Sequence, residues 1–449
     1  MSTTTETDIV NILWKALKNV AIENNNSADD QITINISKID DKQEFAVTKA
    51  EIINFVNDQM HKFNSSNGIY YCSDHVEYTV IAREKYRPSL ASFAWPEDIP
   101  FTEQNKYKYS LSQISLGLFF KFLKDVTLDH NFVIQNIFIN SFYMGIFNNS
   151  GKAIDLFNKE VNLYNVIDSL LQRSVKQYLM AIKVEPIDDN EKNEIADNIR
   201  KYKKIAESAM FNVNLAKFHG FSLRHLEHPL ATITDSNNMK SINGNRMSAP
   251  HMVYNHDMLE IYTAGNWHDD PLVQFINYYQ VAEYLFNYVP NELLFKKVQE
   301  KIANPNFSYT DKSDVLDLSH LIAELNRKND KEVNSLKMVL NQYVKYDDLK
   351  RSLSDELITY YRDEIPSFLK NISEPNQIKF SVNNLQIQNS DKVYRKMASR
   401  LYAVRNCLVH NKEGENHFNS LVDDESLKKE VPLMKTIAET IIIKYGTTI

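Results

Sequence analysis

The chain has 449 residues, enough for two or three domains with cores of their own. Its 9 Gly and 12 Pro are too few for a loop-rich or all-β protein and favour a mainly helical one. A formal net charge of −7 excludes a protein coated in nucleic acid, so any RNA site has to be a local basic patch.

The first residues, Met1 to Asp8, lack the basic and apolar regions of a signal peptide. Residues 8–21 predict an amphipathic helix, with Ile9, Ile12, Leu13, Ala16, Leu17 and Val20 on one side. After a polar loop at 24–30, the alternation of Ile32, Ile34 and Ile36 predicts a strand. Thr48 and Glu51 have capping-box spacing ahead of a helix that ends near Phe63. Residues 69–83, rich in Tyr and Val, read as a strand or hairpin, and 110–124 read as a helix. The segments 132–148 and 174–184 fit either a strand or a buried helix. Residues 1–185 together read as an α+β domain, a candidate sensor or regulatory module.

The stretch 185–190 marks a boundary, with a helix expected over 191–217. An irregular region from His219 to Asp270 follows, and it holds His219, His225, His228, His251, His256 and His268. His225 and His228 suit one helical turn, but a metal site needs three or four converging ligands in clearer paired spacing, and none is assigned here. Residues 186–264 therefore read as a helical, His-rich connection.

From Pro271 the pattern is continuously helical. Residues 271–286 are aromatic and apolar nearly all round, which fits a helix buried in a bundle or in a dimer contact. Pro271 suits the first helical position after Asp269 or Asp270, and Glu283 is the one charge in the helix interior, for which Arg405 is a candidate partner. Helices are expected over 292–303, 314–327, 332–344 and 348–362, with a less regular stretch at 375–388 and a final helix over 426–444. No run of about 18 uncharged apolar residues exists, so no membrane span is expected. Cys72 and Cys407 allow at most one disulfide, and a reducing cytoplasm is the expected setting.

The run from Lys392 to Gly414 organises this half of the chain. Val393, Met397, Leu401, Val404 and Leu408 recur at helical spacing and form one buried stripe, and Gly414 suits the stop. At about 100° per residue, Lys392, Arg395, Ser399, Tyr402, Asn406 and His410 fall on another face, one suited to an anion.

Within the run lies Arg405-Asn406-x-x-x-His410, framed by Leu401-Tyr-Ala-Val-Arg-Asn-Cys-Leu-Val-His410. The motif and its frame resemble the active-site motif of the HEPN superfamily of helical-bundle ribonucleases, in particular members found in bacterial antiphage and abortive-infection systems. Residues 271–286 resemble the first core helix of those proteins, and the likeness covers about Gly265 to Ile449. The pattern Arg-x4-His alone is weak, since Arg246 and His251 match it in a segment of Asn, Gly and Pro unsuited to a helix.

The resemblance implies a mainly α protein, with a HEPN-like bundle over 265–449 behind the α+β domain. It implies a cytoplasmic, metal-independent endoribonuclease that cleaves RNA by 2′-hydroxyl attack and acts as an antiphage defence or toxin effector, answering to a phage-derived trigger or regulatory partner. No cofactor is called for. The residue types suit this chemistry. The imidazole of His410, with an ordinary pKa near 6.5, moves protons either way at neutral pH. The guanidinium of Arg405 offers a permanent fork of donors to phosphate, and the amide of Asn406 orients either. Lys392, Arg395 and Tyr402 are candidate substrate contacts. On an ideal helix Arg405 points about 100° away from Asn406, so either its stem or a distorted last turn has to bring it round.

One helix supplies a single imidazole and a single guanidinium. A homodimer with facing motif helices doubles the set and makes Lys392, Arg395 and Arg405 a six-cation cleft. The alternative is a non-catalytic HEPN-like module that binds RNA or a protein. Gly145 to Ala153 imitates a phosphate loop, but it has one residue too many between its glycines and Ala153 where Ser or Thr belongs.

Overall fold

The computed structural model of the chain describes residues 6–20, 31–38, 42–66, 69–84, 98–101, 106–126, 154–157, 160–172, 180–215, 221–225, 249–329, 332–369, 374–386, 390–410 and 418–448. It divides into two units, residues 1–251 with 449, and residues 252–448. Helix predominates among the described residues, and sheet is concentrated in the first unit. No helix among them is long and apolar enough to cross a membrane.

The first unit opens with α1 (Glu6–Val20), the hairpin of β1 (Gln31–Lys38) and β2 (Lys42–Thr48), and α2 (Lys49–Lys62). The alternation in β1 buries Ile32, Ile34 and Ile36. Thr48 caps α2 as its spacing predicts: Glu51 N donates to Thr48 Oγ1 at 3.2 Å, and Thr48 N donates to Glu51 Oε2 at 2.7 Å. There follow β3 (Asn64–Ser66), β4 (Ile69–Tyr71), β5 (Val76–Glu84), β6 (Asp98–Pro100), β7 (Tyr107–Gln113), α3 (Leu116–Val126), β8 (Ile154–Phe157), α4 (Leu163–Gln172), β9 (Met180–Pro186), α5 (Asp189–Asn193), α6 (Ile199–Leu215) and β10 (Phe221–His225).

A small sheet runs β2-β1-β8, and a larger antiparallel sheet runs β3-β4-β5-β9-β7-β6, with β10 paired to β5. Leu13 and Leu17 of α1, Val56 of α2, Phe119 of α3 and Leu171 of α4 pack with the isoleucines of β1 in one core.

Three expectations change in this unit. Residues 110–113 are the end of strand β7 rather than the start of a helix. Tyr107, Tyr109 and Leu111 alternate as buried residues, and β7 pairs with β9, so the helix begins only at Leu116. The helix expected over 191–217 is broken into α5 and α6 by a turn at 194–198. The first unit also runs past residue 185, because β10 joins the sheet beside β5 and so carries the chain beyond α6 back into this unit. Residues 132–148 and the imitation phosphate loop, 145–153, lie outside the described residues.

The second unit begins with β11 (Met252–Val253) and α7 (His256–Trp267), a helix inside the stretch expected to be irregular. Asn255 caps it, accepting from Met258 N at 3.1 Å. Next is α8 (Pro271–Glu283), with Pro271 at its first position and Asp270 accepting from Leu272 N at 2.8 Å. The remaining elements are α9 (Tyr288–Ile302), α10 (Lys312–Asn329), α11 (Glu332–Tyr343), α12 (Tyr346–Ser352), α13 (Asp355–Asp363), three short 3₁₀ turns between 367 and 386, α14 (Ser390–Val409), α15 (Ser420–Tyr445) and β12 (Thr447–Thr448), which pairs with β11.

The single helix expected over 348–362 is two, because Ser354 accepts from Leu357 N and starts α13 afresh. Phe275, Tyr278, Tyr279 and Val281 of α8 are buried, as are Leu433, Met434, Ile437 and Ile441 of α15. These two helices pack together at the centre of the unit, with α11 and α14 at their side.

Candidate active site at the end of the motif helix

The run from Ser390 to Val409 is helical because its apolar residues fall on one stripe. Val393, Met397, Leu401 and Val404 are buried, and Leu408 is half-buried as the stripe reaches the end of the helix. Tyr394 ties α14 to α11 by donating its hydroxyl to the Val344 carbonyl at 2.7 Å. Gly414 lies outside the described residues.

Arg405, Asn406 and His410 come together at the carboxyl end of α14. Arg405 Nη1 donates to Asn406 Oδ1 at 3.2 Å and lies 3.4 Å from His410 Nε2. The backbone here keeps its helical spacing, since His410 N donates to the Asn406 carbonyl at 2.9 Å. The last turn is therefore undistorted, and the long stem of Arg405 closes the 100° gap. Arg405 is half-buried and His410 is exposed, so the cluster faces solvent from a rigid element.

Two carboxylates frame the guanidinium from the neighbouring helices. Arg405 Nη2 is 3.8 Å from Glu283 Oε1 at the end of α8, the partner foreseen for that charge. Arg405 Nε is 3.7 Å from Glu332 Oε1 at the start of α11. The Tyr279 hydroxyl donates to the same Glu332 oxygen at 3.0 Å, and the Tyr279 ring lies 6.0 Å from the guanidinium carbon.

Burial pushes the Glu283 carboxyl up from its ordinary value, Arg405 opposes the shift, and the like charge of Glu332 adds to it. Tyr279 is pushed well above the ordinary phenol range by burial first and the Glu332 charge second, so it stays a neutral donor. Glu332 and Tyr279 were not legible as site residues. The only signal was a Glu at the first position of its helix, which ordinarily reads as a favourable charge at a helix start.

Tyr402 is half-buried on the turn before Asn406. Lys392 and Arg395 are exposed near the amino end of α14. At 1.5 Å per residue they lie roughly 15–20 Å along the axis from Arg405. They therefore do not share a single anion with Arg405 within one chain.

Arg395 sits 3.2 Å from Asp391, which also takes Lys337 at 2.6 Å. Of the second Arg-x4-His match, Arg246 is outside the described residues and His251 is exposed in the first unit. His225 lies at the end of strand β10, and His219 and His228 are outside the described residues.

Compared with known proteins, the chain matches no family model, no curated protein and no solved structure.

Proposed function

We propose that the second unit is a HEPN-like, metal-independent endoribonuclease domain, and that the chain is a cytoplasmic antiphage or toxin effector. One observation carries the reading: a guanidinium, an amide and an imidazole converge within one turn at a solvent-facing helix end, all within 3.4 Å of a neighbour in the set. In this reading His410 removes the 2′-hydroxyl proton or protonates the leaving 5′-oxygen. Arg405 stabilises charge on the phosphorane, and Asn406 holds the guanidinium against the imidazole. Glu283, Glu332 and Tyr279 position Arg405.

Each chain carries one such set, so the complete site is a homodimer in which a second copy brings the second acid–base group. Val409 is half exposed beside His410, and Leu421 and Val422 at the start of α15 are 92% and 76% exposed. Phe418 N donates to the Cys407 carbonyl at 3.2 Å, which brings the start of α15 back to the end of α14. These apolar side chains thus flank the motif, where a second copy would cover them.

A specific observation favours the alternative of a binding-only module: the Arg405 fork already faces two carboxylates, which compete with phosphate. Incubating RNA with purified protein in EDTA decides between them. Cleavage to 2′,3′-cyclic phosphate ends supports the enzyme, and binding without cleavage supports the module.

A further inference from the structure

The turn between β4 and β5 gathers three donor atoms of different chemistry. Cys72 N donates to the His75 carbonyl at 3.1 Å, which folds Cys72-Ser73-Asp74-His75 back on itself. Cys72 Sγ lies 2.7 Å from Asp74 Oδ1 and 3.1 Å from His75 Nδ1, and that nitrogen lies 2.9 Å from Asp74 Oδ1. A thiol, a carboxylate and an imidazole thus form a triangle reached from solvent through the exposed Asp74.

Behind the triangle stands a second, independent feature. His75 Nε2 is 3.0 Å from Glu77 Oε1, and Glu77 is wholly buried, its other oxygen accepting from Ser115 N at 3.1 Å. A carboxylate in that position holds a proton on Nε2 and aims Nδ1 at Cys72 and Asp74. Histidines that bind metals are ordinarily oriented in this way by an outer carboxylate. The Phe63 ring, 5.7 Å away edge-on, fixes the imidazole plane.

We propose that Cys72, Asp74 and His75 form a zinc site on this hairpin, with Cys72 Sγ, Asp74 Oδ1 and His75 Nδ1 as ligands and water in the fourth position. The donor set decides the metal class, because thiolate and imidazole together favour zinc over magnesium or calcium. Zinc bonds of about 2.0–2.3 Å put tetrahedral donors roughly 3.3–3.7 Å apart. The three edges of the triangle have to lengthen by about 0.4–0.8 Å, most of it between Cys72 Sγ and Asp74 Oδ1.

On binding, the thiol proton and any proton on Nδ1 leave to solvent, and the thiolate and Asp74 carboxylate balance the two charges of the ion. Glu77 keeps its own counter-charge in Lys183. The site belongs to the first unit and does not depend on the nuclease reading of the second.

Cobalt titration of the full-length protein, stripped with a chelator and desalted, tests this. One Co2+ per chain should bind with a sulfur-to-cobalt charge-transfer band, and Zn2+ should displace it. Cys72→Ser should abolish that band, whereas Cys407→Ser should keep it. Asp74 is exposed, so Asp74→Ala tests the site without threatening the fold and should weaken binding at least tenfold. Glu77→Gln should weaken it by about 10–100-fold. No stoichiometric band in the wild type, a band that survives Cys72→Ser, or unchanged affinity in Asp74→Ala would overturn the proposal.

Discussion

Arg400 of α14 and Glu430 of α15 form a forked ion pair with both side chains wholly buried, Nε to Oε2 at 3.0 Å and Nη2 to Oε1 at 2.7 Å. Nη1 donates to the Glu364 carbonyl at 2.9 Å, and the rings of Tyr360 and Tyr361 flank the guanidinium at 5.0 and 5.2 Å. Such a pair owes its stability to complete mutual satisfaction, so removing one member strands a buried charge. It fixes α14 on α15 five residues before Arg405. Arg400→Ala or Glu430→Ala should cost about 3–5 kcal/mol in the unfolding of the second unit, measured by urea denaturation. The double replacement Arg400→Met with Glu430→Leu should recover most of that loss.

Glu332 and Glu283 lie beside Arg405, and under the proposed nuclease reading they also compete with phosphate for it. Glu332→Gln should lower kcat several-fold while leaving KM for RNA unchanged or reduced. A merely structural role would raise KM or lower the melting temperature instead. Steady-state kinetics on a labelled RNA separates the two.

Glu283 also carries a pH signature. Its folded pKa is raised above the ordinary 4.5, so the folded state binds its proton more tightly than the unfolded chain does. Its contribution to stability is complete below pH 4.5 and is lost as pH rises through the folded value. Because the side chain is 41% exposed, the loss is small. Melting curves across this range should show a shallower decline in Glu283→Gln than in the wild type.

Lys392 and Arg395 are expected to hold the backbone of a bound strand away from the motif. The Arg395–Asp391 pair is exposed and weak, so it yields to phosphate. Each alanine replacement should reduce the slope of log affinity against log salt by about 0.7. An unchanged slope in a filter-binding series would remove them from the RNA path.

Leu421 and Val422 should lie in the contact between copies. Leu421→Glu should shift the mass seen by light scattering to that of one chain and reduce cleavage with it. An active single chain at assay concentration would refute the shared site.

Much of this arrangement was legible in the sequence where one rule decided it. The capping box at Thr48 and Glu51, the proline start of α8 after Asp270 and the apolar stripe of α14 each follow from local chemistry. The approach of Arg405 to Glu283 was legible because a lone charge in an aromatic helix asks for a partner.

What was missed depends on contacts distant in sequence. Strand β7 took its conformation from β9, some seventy residues on. Arg400 shares the buried stripe with Met397 and Val404, and a charge there signals a buried partner, but nothing local names Glu430. Cys72, Asp74 and His75 fall inside the stretch 69–83 that reads as a strand or hairpin, and no local spacing singles them out. The six histidines from His219 to His268 are the denser group in the sequence, yet the clustered imidazole, His75, stands outside it.

The most direct test of the central claim is the turnover of His410→Ala on an RNA that the wild type cleaves in EDTA, at matched melting temperature and with His251→Ala as control. His410 is exposed and its loss removes little packing, so the variant should fold. A lost acid–base group should lower kcat by about 10²–10⁴-fold, while His251→Ala should cleave at the wild-type rate. Wild-type turnover from His410→Ala would contradict the assignment of catalysis to this helix end.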